Sequence, residues 1–260
     1  MGTPIADAAE ARFFRYLEER QYTYDREPDD LGDTPKRPDA RIQAAGHTIV
    51  AEVKAFETLG LFKDAVDGKL QMRSITDALK PLRNKIHEAA RQLRDLQGRG
   101  WPLVTVLDNQ AGSPIPTNPE LIVSAMYGDL VHRVSITEDG LPGEARMVFG
   151  RNGKLTNDHP YISAVAIIRS RNRFLDWMNQ WFDDHQDQYS PDETGQRAAL
   201  ADIQGATQDA PTGEEIYLEV FETVSDSAVR LPPEVFNGPL DVRWAATPGR
   251  DGLVLQTNVD

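Results

Sequence analysis

An α/β fold with a mixed central β-sheet flanked by helices, ending in a small β-rich C-terminal appendage, is what this 260-residue sequence predicts. Two patterns carry the prediction. Over residues 74–97, Leu79, Leu82, Ile86, Ala89, Ala90, Leu93 and Leu96 recur at helical spacing, and the nearly continuous apolar run "WPLVTVLDN" follows, as a strand buried on both faces would. Upstream, residues 37–57 alternate in the manner of a β-hairpin. A helix followed by a buried strand is the mark of an α/β architecture.

Taken in order, "ADAAEARFFRYLEER" is an amphipathic helix by the spacing of Phe13, Phe14 and Leu17, ending near Gln21. The run "EPDDLGDTPKRPD" is a loop by its Pro, Asp and Gly content. The hairpin follows, with Gly46-His47 as the expected turn between residues 41–45 and 48–56. Residues 59–72 fit a loop, a short helix or an extended excursion equally well. Gly98 and Gly100 stop the long helix. After the proline-rich "QAGSPIPTNP", "PELIVSAMYGDL" reads as a helix with Pro119 in its first turn. Strands near residues 131–137 and 146–149 flank "EDGLPGE"; "YISAVAIIRS" is a further apolar strand and "NRFLDWMNQWF" a further helix. These divide the chain into a domain over residues 1–183, an acidic linker or long surface loop over 184–213, and a β-rich segment over 214–260.

Composition narrows the function. No apolar run approaches the roughly 18–20 residues that span a bilayer, and the N-terminus lacks a signal-peptide pattern, so a cytoplasmic protein with no membrane partner is expected. Cysteine is absent, which removes disulfides, thiolate metal sites and cysteine nucleophiles; any metal must be held by carboxylates, carbonyls or the five histidines. The net charge of -13 argues against a general nucleic-acid coat. Basic residues are nonetheless dense between Lys36 and Arg99, while acidic ones crowd residues 176–222.

The hairpin holds the chemistry. With the turn at Gly46-His47, Arg41 faces Glu52 and Asp39 faces Lys54, so Asp39, Glu52 and Lys54 share one face while Ile42, Ile49, Ala51 and Val53 share the other. A slip of one residue would separate Asp39 from Glu52. Two carboxylates this close either share a proton or hold a divalent cation. With an ammonium beside them they form a set suited to phosphodiester hydrolysis, in which Mg²⁺ orients water and the lysine offsets developing charge.

Pro38-Asp39 followed by Glu52-Val53-Lys54 resembles the PD-(D/E)XK nuclease superfamily, and the likeness in element order runs over residues 6–109. The resemblance implies a restriction-endonuclease-like fold and a nuclease acting on nucleic acid, with DNA the expected substrate. It implies Mg²⁺, with Mn²⁺ able to substitute, held by Asp39, Glu52 and the Val53 backbone carbonyl, and Lys54 as base or charge stabiliser. Glu10 on the first helix and Gln92 on the long helix match the additional acidic residue and the glutamine of similar nucleases. A homodimer or an accessory protein is a further expected partner.

Plainer readings stand beside these. Asp39, Glu52 and Lys54 also suit an exposed hairpin face with a cross-strand salt bridge. Glu10 suits a helix-start carboxylate, and Gln92 a helix-surface amide. Trp177 and Trp181 suit a packed helix face, and Arg83, Lys85, Arg91 and Arg94 either a phosphate-facing or a solvated one. "GRNGK" lacks the phosphate-loop spacing and reads as a turn. The spacing of His47, His87, His132, His159 and His185 makes no zinc pattern. The alternatives to a nuclease are a catalytically silent protein of the same fold acting as a scaffold, and an acidic interaction protein whose residues 176–222 engage a basic partner.

Overall fold

Helix α1 (Pro4–Glu19) starts where the Thr3 side chain accepts a hydrogen bond from the Ala6 N–H at 3.2 Å, with a proline in the first turn and Asp7 beside the exposed amides. It buries Ala9, Phe13, Phe14, Tyr16 and Leu17. The computed structural model of the chain describes residues 3–31, 37–56, 74–109, 115–247 and 253–256. The ambiguous stretch 59–72 lies outside the described residues.

Three strands follow: β1 (Thr23–Arg26), β2 (Ala40–Ala44) and β3 (His47–Ala55), antiparallel in sequence order. The hairpin turn corrects the expected register. Ala44 pairs with His47, so Ala45 and Gly46 form the two-residue turn, with φ of 49° and 80°. Two central residues with positive φ are what a twisted two-residue hairpin requires, and this places the glycine second in the turn, not first. The register moves by two residues, which leaves every side chain on its expected face. Ile42, Ile49, Ala51 and Val53 are buried on one face, and the register extended by one residue sets Asp39 opposite Glu52, where Lys54 was expected.

Helix α2 (Ile75–Leu93) is capped by Ser74, whose hydroxyl accepts from the Asp77 N–H at 3.1 Å. Its apolar stripe packs with Val50 of β3 and with Leu103 and Leu107 of β4 (Leu103–Asp108), all six residues of which are buried. β4 lies parallel to β3. Helix α3 (Pro119–Tyr127) leads into β5 (Gly128–Ile136) and β6 (Pro142–Asn152), which pair only with each other as a separate sheet. Strand β7 (Ala164–Asn172) lies parallel to β4. After α4 (Arg173–His185) and α5 (Glu193–Ala206) come β8 (Glu214–Glu222), β9 (Val242–Ala246) and β10 (Leu253–Gln256).

Among the described residues the fold is α/β, with an eight-stranded mixed sheet in the order β1-β2-β3-β4-β7-β8-β9-β10 and five α-helices. The chain divides into two compact units: residues 1–168 with 218–260, and residues 169–217. This differs from a boundary at 183. The segment 184–213, read as a linker or surface loop, contains α5: the Asp192 side chain accepts from the Gly195 N–H at 2.9 Å, and Gly195, Ala199 and Ile203 form a buried stripe one side chain wide. Helix α4 has no buried residue; Trp177 and Trp181 are half-buried, and Trp181 stacks on His185.

The C-terminal segment is β-rich, as expected, and its strands extend the central sheet. Two buried polar residues fix it. Asp241 accepts from the Tyr16 hydroxyl at 2.6 Å and from the Leu218 and Gly238 N–H groups, so its carboxylate ties α1 to β8. Arg243 donates to the carbonyls of Leu231, Pro232, Pro233 and Val235 and pairs with Glu222, satisfying a proline-rich loop that cannot satisfy itself.

The turn yields a stability prediction. Asparagine tolerates the left-handed conformation that Ala45 is made to adopt, and Asn-Gly is the preferred pair for this turn. Ala45→Asn should raise stability by about 0.5–1 kcal/mol in urea titration; a destabilised variant would contradict the register.

Candidate active site at the end of strand β3

On β3, residues Val50, Glu52 and Lys54 alternate with the buried Ile49, Ala51 and Val53. Val50 is core. Glu52, two residues on, points the same way and is 0% exposed. Its Oε1 accepts from Lys54 Nζ and from the Gln92 side-chain amide on α2, while its Oε2 is buried and makes no hydrogen bond. Asp39, just before β2, has its Oδ2 held by the Val53 N–H at 2.6 Å.

Glu10 completes the acidic set from α1. With Lys54, Val53 and Gln92 it lines a cleft of about 600 Å³, together with Ala6, Ala55, Lys85, Glu88, Arg91 and Asp95. Of the five side chains named from the sequence, Glu10, Lys54 and Gln92 line the cleft, while Glu52 and Asp39 lie behind it, joined through Lys54, Gln92 and the Val53 N–H; the carboxyl end of β3 is where ligands commonly bind in parallel α/β sheets. Val53 lines the cleft as well.

The electrostatics show how crowded the acids are. Burial is the main cause that pushes Glu52 from 4.5 to about 8; the Asp39 charge adds to it and Lys54 opposes it. Burial also raises Asp39, against the Val53 N–H and the Lys54 charge, with Glu27 adding to the rise. Glu10 is raised by burial and then by the charges of Asp39, Asp7 and Glu27, with Lys54 opposing. The carboxylates outnumber the one ammonium in contact with them, so the group lacks positive charge. A divalent cation between Asp39 and Glu52 would supply it, and the unpaired Glu52 Oε2 is a free ligand for one.

Glu88, Asp95, Glu27 and Arg12 were not among the residues expected from the sequence. Lys85, Glu88, Gln92 and Asp95 recur at three- and four-residue spacing, so the cleft wall is a polar stripe on α2, continued into the turn after it, opposite the apolar one. The signal was present. Glu27 sits in a loop at φ 40°, its N–H donating to the Asp39 carbonyl at 3.1 Å, with nothing in the sequence to single it out. Arg12, two residues beyond Glu10, forms an ion pair with Asp108, which is 2% exposed at the end of β4. That pair fixes α1 against the sheet beside the cleft. His47 lies 3.5 Å from Glu234, away from this group, whereas His87 and His159 meet at 2.8 Å despite their unpromising spacing.

Comparison with known protein families, curated proteins and solved structures finds no match to this chain.

The raised acid at Glu52 makes a pH prediction. Its folded value of about 8 lies above 4.5, so between these the native state holds a proton that the unfolded chain has released, and stability falls as pH rises through the window. In EDTA, the melting temperature of the wild type should drop between pH 5.5 and 8.5. Glu52→Gln should flatten much of that drop; an equal drop in the variant would refute the assignment.

Proposed function

We propose that this chain is a metal-dependent nuclease of the PD-(D/E)XK kind that hydrolyses phosphodiester bonds, with DNA as substrate. The observation that carries the reading is the buried pair Asp39 and Glu52, with one Glu52 oxygen held by Lys54 and Gln92 and the other without a hydrogen bond. The order α1, hairpin, α2, β4 supports it, since that is the order in which the resemblance places its elements. Asp39 and Glu52 would hold Mg²⁺ or Mn²⁺, with the Val53 carbonyl as a further ligand. A bound Mg²⁺ would orient a water, polarise the phosphate and stabilise the leaving oxygen.

The protein's own groups do the rest. Lys54 reaches from the buried carboxylate into the cleft with its side chain 20% exposed, so its ammonium can neutralise charge on a phosphate oxygen or exchange a proton with the attacking water at Nζ. Gln92 is a positioning residue: its amide fixes the orientation of Glu52 by donating to Oε1. Glu10 adds negative charge on the α1 side, strengthening the demand for a cation. Lys85 and Arg91 line the α2 wall, where they can receive the phosphate backbone.

Incubation of supercoiled plasmid, linear duplex and single-stranded DNA and RNA with Mg²⁺, Mn²⁺ or EDTA tests this. Metal-dependent cutting should fall by about 100-fold or more in Lys54→Ala and Glu52→Ala, and by about 10- to 100-fold in Gln92→Ala. Nicking without linearisation would indicate single chains acting on one strand. Cutting that survives in both Lys54→Ala and Glu52→Ala, or no cutting of any substrate by folded wild type, would defeat the proposal.

A further inference from the structure

Helix α2 carries Gln92 into the cleft and, five residues earlier and so well around the helix, His87 elsewhere. His87 Nδ1 lies 2.8 Å from His159 Nε2, and the ligand atoms of His87, His159 and Asp158 all lie within 4.8 Å of one another. These residues come from two separate parts of the chain, and the hydrogen bonds around them fix what each nitrogen can do.

The Tyr161 hydroxyl donates to the Ala90 carbonyl of α2 at 2.8 Å, so its oxygen is left to accept from His159 Nδ1 at 3.0 Å. That places the His159 proton on Nδ1 and its lone pair on Nε2, facing His87. A metal-binding imidazole is typically arranged in this way, with one nitrogen to the ion and the other donating to a fixed oxygen. The tyrosine, the helix carbonyl and the buried His159 ring together hold that lone pair in one direction.

Asp158 is brought to the same place by a short helical turn. The helical turn Lys154–Asp158 begins after Gly153, where a Cβ would lie 2.1 Å from the Tyr127 carbonyl carbon, so the backbone there is pressed against the end of α3. The His159 N–H closes the turn on the Lys154 carbonyl at 3.0 Å. Asp158 is exposed and holds Lys154 Nζ at 2.8 Å, a surface pair that a divalent cation can displace at little cost.

We infer that His87, Asp158 and His159 form a second metal site, selective for Zn²⁺ and similar borderline cations and distinct from the carboxylate cleft. Two imidazole nitrogens and one carboxylate oxygen suit Zn²⁺, Co²⁺ or Ni²⁺, whereas Mg²⁺ prefers an all-oxygen set. Three protein ligands leave one tetrahedral position open to water. The ion joins the middle of α2 to the loop before β7, so it steadies the helix that bears Gln92. This inference does not rest on the nuclease reading.

Zinc binding to the EDTA-stripped 260-residue chain, by calorimetry and by the visible spectrum of Co²⁺, tests the site with the metal as probe. With excess Mg²⁺ present to occupy the carboxylate pair, the wild type should bind one ion, raise its melting temperature on binding, and show tetrahedral Co²⁺ absorption. His87→Ala and Asp158→Asn, both at residues outside the core, should remain folded by circular dichroism and bind at least about tenfold more weakly. Absent binding in the wild type, or unchanged binding in His87→Ala, would each overturn the inference.

Discussion

The rest of this structure is arranged around a carboxylate that water cannot reach. Glu52 sits on β3 at a position where its neighbour two residues earlier, Val50, belongs to the core. An isolated charge there would be costly, and the surroundings answer the cost with Lys54 from the same strand and Gln92 from α2. They answer it for one oxygen only. The other oxygen makes no hydrogen bond, and burial with the charge of Asp39, a second acid held in place by the Val53 N–H, pushes Glu52 up to about 8, so the pair calls for a proton or a cation.

The scaffold keeps that arrangement in register. Antiparallel pairing of β2 with β3 delivers Asp39; packing of α2 on β3 delivers Gln92 and the charged cleft wall; the Arg12–Asp108 pair and the Tyr16–Asp241 hydrogen bond hold α1, and with it Glu10, against the sheet. The chain's net charge of -13 would give a bound cation a further role. If the substrate is a polyanion, as proposed, a group that contains Glu10, Asp39 and Glu52 would repel it until a cation compensated those acids, and Lys85 and Arg91 would then attract it. Under the proposed function, a need for metal would follow from electrostatics as well as from chemistry.

Much of this was legible in the sequence, for identifiable reasons. Strand alternation is a property of parity, so Asp39, Glu52 and Lys54 were assigned to one face even though the hairpin turn lies at Ala45-Gly46 and the true partner of Asp39 is Glu52. Gln92 was legible because the apolar stripe of α2 fixes which face is left for polar residues. The Arg12–Asp108 and His87–His159 pairs were not, since 96 and 72 residues separate their members and only tertiary structure joins them. Helix α5 was hidden by its own economy: a stripe built of Gly195, Ala199 and Ile203 gives little hydrophobic signal amid acidic neighbours. The C-terminal strands gave the right element type without their place in the sheet, because that depends on Asp241 and Arg243, polar residues whose burial no periodicity announces.

The central claim is that Asp39 and Glu52 together hold a catalytic cation. Its most direct test is an anomalous difference map from crystals of the protein grown with Mn²⁺. The account predicts a peak about 2.2 Å from a carboxylate oxygen of each residue, with Glu52 Oε2 among the ligands. Mn²⁺ bound elsewhere, with this pair left empty at concentrations that support cleavage, would contradict it.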